Sequence, residues 1–402
     1  PKGLLAVPGF PRRLRLPSLV QYLTFSYVPG RHTMLCDVEE LLAGHALIVR
    51  GDEPPRLLNH FRFEEDEESE VSDVDWPARF RDVHARAVRD RLPAGEPLAA
   101  FLSGGIDSSI VVAELAAQGV GPLHTFTIHF GDQYPNELDF AREVAERCNT
   151  VHHEVLVEPR DFLDRLRQAI WYLDDAIGDP ITIPNFELAR CASKVSRFVY
   201  NGEGGDPCFG GPKNLGMMLH HWYGMDREPH FRERAYLASY RRAYTELEYL
   251  LTPEVRASAG PEHLEGLLSP FLTKQKPRLF LHKLMAINIR FKGAHLILPK
   301  VERMLGAWGV TPLSPLFDER IVRLSFAMPG TMKVCRGVEK VVLKKAYRDD
   351  LPARIIDRPK SGMRVPVHWW FRDELKDYAR DILDETTLRR GGLFDPARVS
   401  QL

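Results

Sequence analysis

Short apolar runs that halt at glycine alternate, through the middle of the chain, with stretches of helical periodicity. "PLAAFLSGG" stops at Ser103-Gly104-Gly105, and "SSIVVAELAAQ" then repeats apolar residues at helical spacing. "LHTFTIHF" is β-rich, "NELDFAREVAERCN" is an amphipathic helix, and "VHHEVLVE" alternates as a strand does. "SRFVYNGEGGD" again carries an apolar run into a glycine-rich turn. Strands alternating with helices predict an α/β fold, a parallel sheet covered by helices on both faces. Upstream, "LVQYLTFSYVPG" predicts a small helix followed by loops and strands. The acidic run "FEEDEESEVSD", Phe63 to Asp73, is expected to be a solvated linker. "WPARFRDVHARAVRDRL" is a helix that Pro77 is placed to start. Beyond Arg227, patterns such as "FRERAYLASYRRAYTELEYLL" predict mostly helix. The chain thus divides into a lead-in and acidic linker over 1–75, a core over 76–226 and a helical portion over 227–402 that completes the site.

Composition narrows the function. The 402 residues are 44% hydrophobic and 27% charged, which is ample for a globular core. A net charge of −1 gives no global basic field, so no nucleic-acid partner is expected. No apolar run is long enough to span a bilayer and no signal peptide is visible, so no membrane is expected either. The five cysteines (Cys36, Cys148, Cys191, Cys208 and Cys335) are scattered and never form C-x-x-C, as suits a reducing cytoplasm. His152 and His153 adjoin on a predicted strand; they point to opposite faces and make a poor metal site.

The strongest chemistry lies in Ser103-Gly104-Gly105-Ile106-Asp107-Ser108-Ser109, a strand end turning through two glycines into a helix N-terminus. Glycine lets the backbone approach an anion closely. Exposed N–H groups and the hydroxyls of Ser103, Ser108 and Ser109 can then cradle phosphate at the positive end of the helix. Asp107 beside a phosphate is costly without a cation between them, which makes it a natural Mg²⁺ ligand. The second loop runs Asn201-Gly202-Glu203-Gly204-Gly205-Asp206-Pro207. Its two acidic residues suit a cation or a proton to be moved. Asp206 could share one Mg²⁺ with Asp107, and Glu203 could accept a proton from an incoming amine.

The first string resembles the PP-loop of N-type ATP pyrophosphatases, which cleave ATP to AMP and pyrophosphate, and it lacks the lysine of the Walker pattern. With the second loop, it resembles the synthetase domain of asparagine synthetases and of relatives such as β-lactam synthetases and lasso-peptide cyclases. "WYLDDAIGDPITIP", "ERMLGAWGVTPLSPLFDERIV", "GVEKVVLKKAY" and "LPARIIDRPKSGMRVPVHWW" resemble later blocks in the same order. The resemblance implies ATP and Mg²⁺ as cofactors, Asp107 and Asp206 as metal ligands, and Lys340 on the ATP phosphates. Gly204 belongs to the matched nucleotide-site loop. Lys360 in "RPKSGMRVP" either faces the nucleotide or is a solvated lysine. Asp175 and Asp179 either shape the substrate side or cap a helix. The implied activity is a carbon–nitrogen ligase that adenylates a small-molecule or peptide carboxylate and passes it to ammonia or an amine. Glu203 would be the base, where β-lactam synthetases carry a tyrosine.

Three departures stand out. The family's glutaminase domain opens on a nucleophilic cysteine, whereas the sequence as given starts at Pro1 and enters the synthetase region almost at once, so hydrolysis of glutamine by this segment itself is not expected. Ammonia would then come from solution or from a separate glutaminase, or the amine is another molecule from a biosynthetic partner. In "GVTPLSPLFD", Thr311 and Leu313 stand where asparagine synthetases usually have glutamate and arginine, which bears on aspartate as substrate. Pro207 replaces the carboxylate that usually follows the second-loop aspartate, with Cys208 beside it as a small buried residue. A natural-product or peptide ligase of the same family is therefore the alternative, and a non-catalytic subunit that keeps the fold is the third. A homodimer is compatible with the chain.

Overall fold

In the computed structural model the described residues are 1–402 except 66–74, 120, 224–227, 241–245, 259–260, 275–276, 361 and 402. Strands alternate with helices as the periodicity predicts. Five strands form the central sheet: β3 (Leu98–Phe101), β4 (Leu123–His129), β5 (Val151–Leu156), β6 (Phe198–Tyr200) and β7 (Thr311–Leu313). Their order is β5-β4-β3-β6-β7, and every pairing is parallel. Strand side chains alternate between two apolar layers. Ala99 and Val199 enter one with Phe126 and Phe186, while Ala100 and Tyr200 enter the other with Phe80 and Ile110. The chain runs outward from β3 to β5, then returns to the far side of β3 for β6. The carboxyl ends of β3 and β6 therefore flank the point where strand order reverses, the position at which open α/β sheets bind ligands.

Before the sheet, Leu16–Phe25 is helical and β1 (His45–Ile48) pairs antiparallel with β2 (Arg56–Asn59). The helix Trp76–Arg89 starts where Pro77 predicts, and the Asp75 carboxylate accepts the Ala78 N–H at 3.0 Å. The acidic run is not solvated throughout. Glu65 accepts the N–H groups of Arg278, at 2.5 Å, and Leu279, and it lies 2.7 Å from Nδ1 of the buried His282. The rest of that run, from 66, lies outside the described residues.

The portion beyond 227 is mostly helical but also supplies β7, only 3 residues long. Pro312 hides it from pattern reading, because proline is confined to edge strands and β7 is an edge. A short hairpin, β8 (Val334–Cys335) with β9 (Val338–Glu339), leads directly into Lys340. Helical backbone is continuous from Phe280 to Gly306, with a π-helical stretch at Asn288–Ile297 in its middle.

A buried polar chain ties three of these elements together. The Tyr347 hydroxyl, just after the helix Val341–Ala346, donates to Glu114 Oε2 at 2.8 Å. It spends its one proton there, so it accepts from His84 Nδ1–H at 2.7 Å. Burial, aided by the Arg81 guanidinium, pushes His84 down to about 3, and the ring is neutral. Tyr347→Phe leaves His84 Nδ1–H and Glu114 Oε2 buried without a partner, while Glu114 Oε1 keeps the Gln118 amide. It is expected to cost about 1–3 kcal/mol, read as a lower urea midpoint at unchanged m-value. An unshifted midpoint would remove this chain from the account of stability.

Candidate nucleotide-handling active site

Both glycine loops open into one crevice of about 270 Å³ at the switch point. Ser103, Gly105, Asp107 and Ser108 line it from the β3 side, and Asn201, Gly202, Glu203, Gly204, Asp206 and Pro207 from the β6 side. The helix Ile106–Gln118 begins at Gly105 with no side chain capping its first turn, which leaves its amides available to an anion. Ser108 Oγ accepts the Ser103 N–H at 3.1 Å and lies 3.2 Å from Ser103 Oγ, so the two hydroxyls edge one turn. Ser109 differs from that pattern. Its fully buried hydroxyl donates back to Gly105 O at 2.8 Å, and it does not line the crevice. Gly104 stands behind the loop, with φ +69°; a Cβ there would lie 2.5 Å from the Phe140 backbone.

The second loop presses on the first. A Cβ on Gly202 would lie 2.5 Å from the Ser108 nitrogen, and one on Gly205 would lie 2.1 Å from Asp107 Oδ1. Asn201 Oδ1 shapes the turn by accepting the Glu203 N–H at 3.1 Å and the Ser314 hydroxyl at 2.9 Å. Gly204, at φ +112°, turns the chain so that Glu203 and Asp206 both reach the crevice.

Two lysines from the distant end of the chain meet the aspartates. Lys340, fully buried, places Nζ 2.5 Å from Asp107 Oδ2 and in contact with Asp206 Oδ1. Lys360 Nζ lies 3.2 Å from Asp107 Oδ2 and 3.9 Å from Asp206 Oδ2, and its side chain lines the crevice. Burial acts to raise Asp206, but Lys340 and Lys360 outweigh it and hold the carboxyl below its usual range. Burial pushes the Glu203 carboxyl upward, with Lys300, Lys360 and Lys292 opposing and Asp206 adding to the rise. Burial acts to lower Lys360, yet Asp107 and Asp206 carry it above the usual lysine range.

The donor set suits Mg²⁺. That ion is usually held by one or two carboxylates plus substrate phosphates rather than by an all-protein cage. Asp107 Oδ1 is buried with no hydrogen-bond partner, an oxygen left open for a cation. No group of three or more His, Cys, Asp or Glu suited to a metal occurs among the described residues.

Several residues of the crevice carry no local sequence signal. Lys292, from the π-helical stretch, and Lys300 line it. Lys300 Nζ lies 2.5 Å from Asp179 Oδ2, while Asp179 Oδ1 accepts the Ile181 N–H at 3.2 Å, so Asp179 both lines the crevice and caps a turn. Asp175 stays outside it, 3.9 Å from Arg303. Glu339 Oε1 accepts the Lys360 N–H at 3.0 Å, and Arg358 pairs with Glu137 and donates to Gly104 O at 3.3 Å. Those three contacts buttress Lys360 and the phosphate loop.

Neither Thr311 nor Leu313 lines the crevice; Leu313 packs into an apolar layer opposite Tyr200. Cys208 is fully buried, with Sγ 3.8 Å from Leu316 O, and burial, then Asp107, pushes its thiol up. His152 bonds Thr125 at 2.9 Å, whereas His153 bonds His124 at 3.0 Å and stacks on Phe126, so the pair does divide between two sets of partners.

A glycine loop and an uncapped helix at the switch point of a parallel sheet define a PP-loop α/β protein. The chain belongs to the asparagine synthase family, whose model matches residues 79–402. It is 25% identical over 402 residues to the glutamine-hydrolyzing asparagine synthetase 1 of Bacillus subtilis, covering 92% of this chain and 62% of that one. A putative glutamine-hydrolyzing asparagine synthetase of Mycobacterium tuberculosis is 27% identical over 445 residues, covering 99% and 65%. The chain therefore spans a little under two thirds of the length of these relatives. Among solved structures, an NH3-dependent NAD synthetase from Campylobacter jejuni matches 55% of this chain and 95% of its own at 14% identity. The TM-score of that match is 0.26. No helix among the described residues is long and apolar enough to cross a membrane.

Proposed function

We propose that this chain is an ATP-dependent amide-forming ligase that activates a carboxylate as its adenylate and transfers the acyl group to ammonia or another amine. The observation that carries this is the meeting of Lys340 and Lys360 with Asp107 and Asp206 at the mouth of the Ser103–Ser108 loop, with Glu203 on the same wall. ATP enters with its phosphates against the first turn of the helix at Ile106 and the hydroxyls of Ser103 and Ser108. The substrate carboxylate attacks the α-phosphorus, forming the acyl–phosphate bond while the bond to the β-phosphate oxygen breaks. Lys340 and Lys360 supply positive charge where the leaving pyrophosphate gains negative charge. Mg²⁺ on Asp107 and Asp206 would supply a Lewis acid for the same phosphates.

Transfer follows in the same crevice. The amine attacks the acyl carbon, AMP leaves with the electron pair of the broken C–O bond, and Glu203 takes the amine's proton. Its raised pKa brings the carboxylate closer to a useful base. The acyl substrate is a small-molecule or peptide carboxylate seated towards Ile181, Asn185, Ile297 and Val301, and a separate glutaminase can deliver ammonia.

The test is product analysis with ATP, Mg²⁺, ammonium and a panel of carboxylates that includes aspartate. AMP and pyrophosphate are expected, with turnover dependent on one acid. Formation of ADP and phosphate instead would overturn the mechanism.

A further inference from the structure

Three charged groups that line the crevice, Asp107, Asp206 and Lys360, and one buried behind them, Lys340, neutralise one another. Lys340 has no exposed surface, and its ammonium rests on Asp107 Oδ2 at 2.5 Å and on Asp206 Oδ1. Lys360 adds a second ammonium, 3.2 Å from the same Asp107 oxygen. Lys340 does so with φ +56°, a left-handed conformation that costs a non-glycine residue free energy and persists only where its surroundings enforce it. The carboxylates suited to a divalent cation are thus already matched in charge by two ammonium groups, while Asp107 Oδ1 and Asp206 Oδ1 are both buried without a hydrogen-bond partner.

We propose that Lys340 and Lys360 are resident counter-cations that keep Mg²⁺ off the Asp107–Asp206 pair until nucleotide phosphate draws them away, so that metal and nucleotide enter by exchange. The proposal rests on the ATP reading above and adds the order of events to it.

The physical reason is charge balance in a confined site. A divalent ion arriving alone must displace two ammonium groups, one fully buried, and leave them without a counter-charge beside a new positive charge. Breaking a buried pair in that way is strongly unfavourable. A phosphate chain removes the difficulty by offering the lysines another anion in the same crevice, at the loop amides that flank Asp107. The freed carboxylates then have a reason to take a cation, and Mg²⁺ completes its oxygen shell partly from the phosphates. Such coupling is reciprocal, since whatever nucleotide does for metal affinity, metal must do for nucleotide affinity.

The test uses the full chain and Mn²⁺ alone as the probe, with no nucleotide present, following free Mn²⁺ by its paramagnetic resonance signal. The unsubstituted protein is expected to bind Mn²⁺ weakly. Lys360→Met and Lys340→Met should each tighten nucleotide-free binding about 10-fold or more, the scale of ordinary coupling between sites. Adding Asp107→Asn to either should abolish the gain and so locate the ion. Metal-free ATP, titrated in the presence of a chelator, should bind the same variants more weakly than the unsubstituted protein. Thermal melts establish that each variant is folded, and Lys360→Met, at the less buried position, decides the matter if Lys340→Met is not. Mn²⁺ held by the unsubstituted protein as tightly as by the lysine variants would overturn the exchange. ADP in the product assay would sink the adenylation mechanism yet leave the Mn²⁺ result standing, so the two failures are distinguishable.

Discussion

Glutamine in place of Glu203 is expected to leave adenylate formation intact while slowing transfer to the amine by about 10²- to 10⁴-fold, the range of positioned acid–base catalysis. The amide keeps the size of the side chain and its place in the turn set by Asn201, but it cannot take a proton. A rapid burst of AMP-linked acyl product, followed by little amide, separates the half-reactions in a quench experiment. Equal loss in both halves would mean that Glu203 helps to bind ATP instead. The pH dependence has a defined sign. Because burial raises the Glu203 pKa, its carboxylate form disappears at a higher pH on acidification than an ordinary glutamate's would. At fixed free-amine concentration, transfer should therefore fall on the acid side, above the usual glutamate range, and this limb should vanish in Glu203→Gln.

Gly205→Ala should be nearly as damaging without touching a functional group. The added methyl would lie 2.1 Å from Asp107 Oδ1 and 2.3 Å from Cγ, so the carboxylate has to swing away. Asp107 is buried against Lys340 and has little room in which to do so. Losing one properly placed charged group from a preorganised site costs about 10²- to 10³-fold in rate. Gly216→Ala is the matched control, since a methyl there meets nothing within 4 Å. Comparable ATP cleavage by the two variants would show that the position of Asp107 is not needed.

What could be read without coordinates was local. Each glycine loop sits directly after its own strand, so strand, turn and helix dipole lie within a dozen or so residues of sequence, as in Phe101 to Ser109. The pairing of Lys300 with Asp179 spans |i−j|=121, and no periodicity reports it. Glu339 and Arg358 are equally silent, because their work is to hold Lys360 and Gly104 through backbone groups. Three serines beside two glycines look alike in a string, yet they are placed differently: Ser108 and Ser109 both donate to Gly105 O, but only Ser103 and Ser108 line the crevice while Ser109 is fully buried. Leu313 illustrates how a position in a motif differs from a place in a pocket. Its register opposite Tyr200 commits the side chain to the apolar layer.

The late arrival of β7 has a consequence for how the protein is made. Tyr200 waits for Leu313, its register partner, through more than a hundred residues of intervening chain. Until then β6 presents a row of unpaired amides and carbonyls, the kind of edge on which other chains can assemble. Closing so long a loop is entropically slow, and the lysines that complete the crevice are synthesised later still. In order of synthesis, the phosphate loop is therefore finished long before Lys340 and Lys360, the charges that meet it.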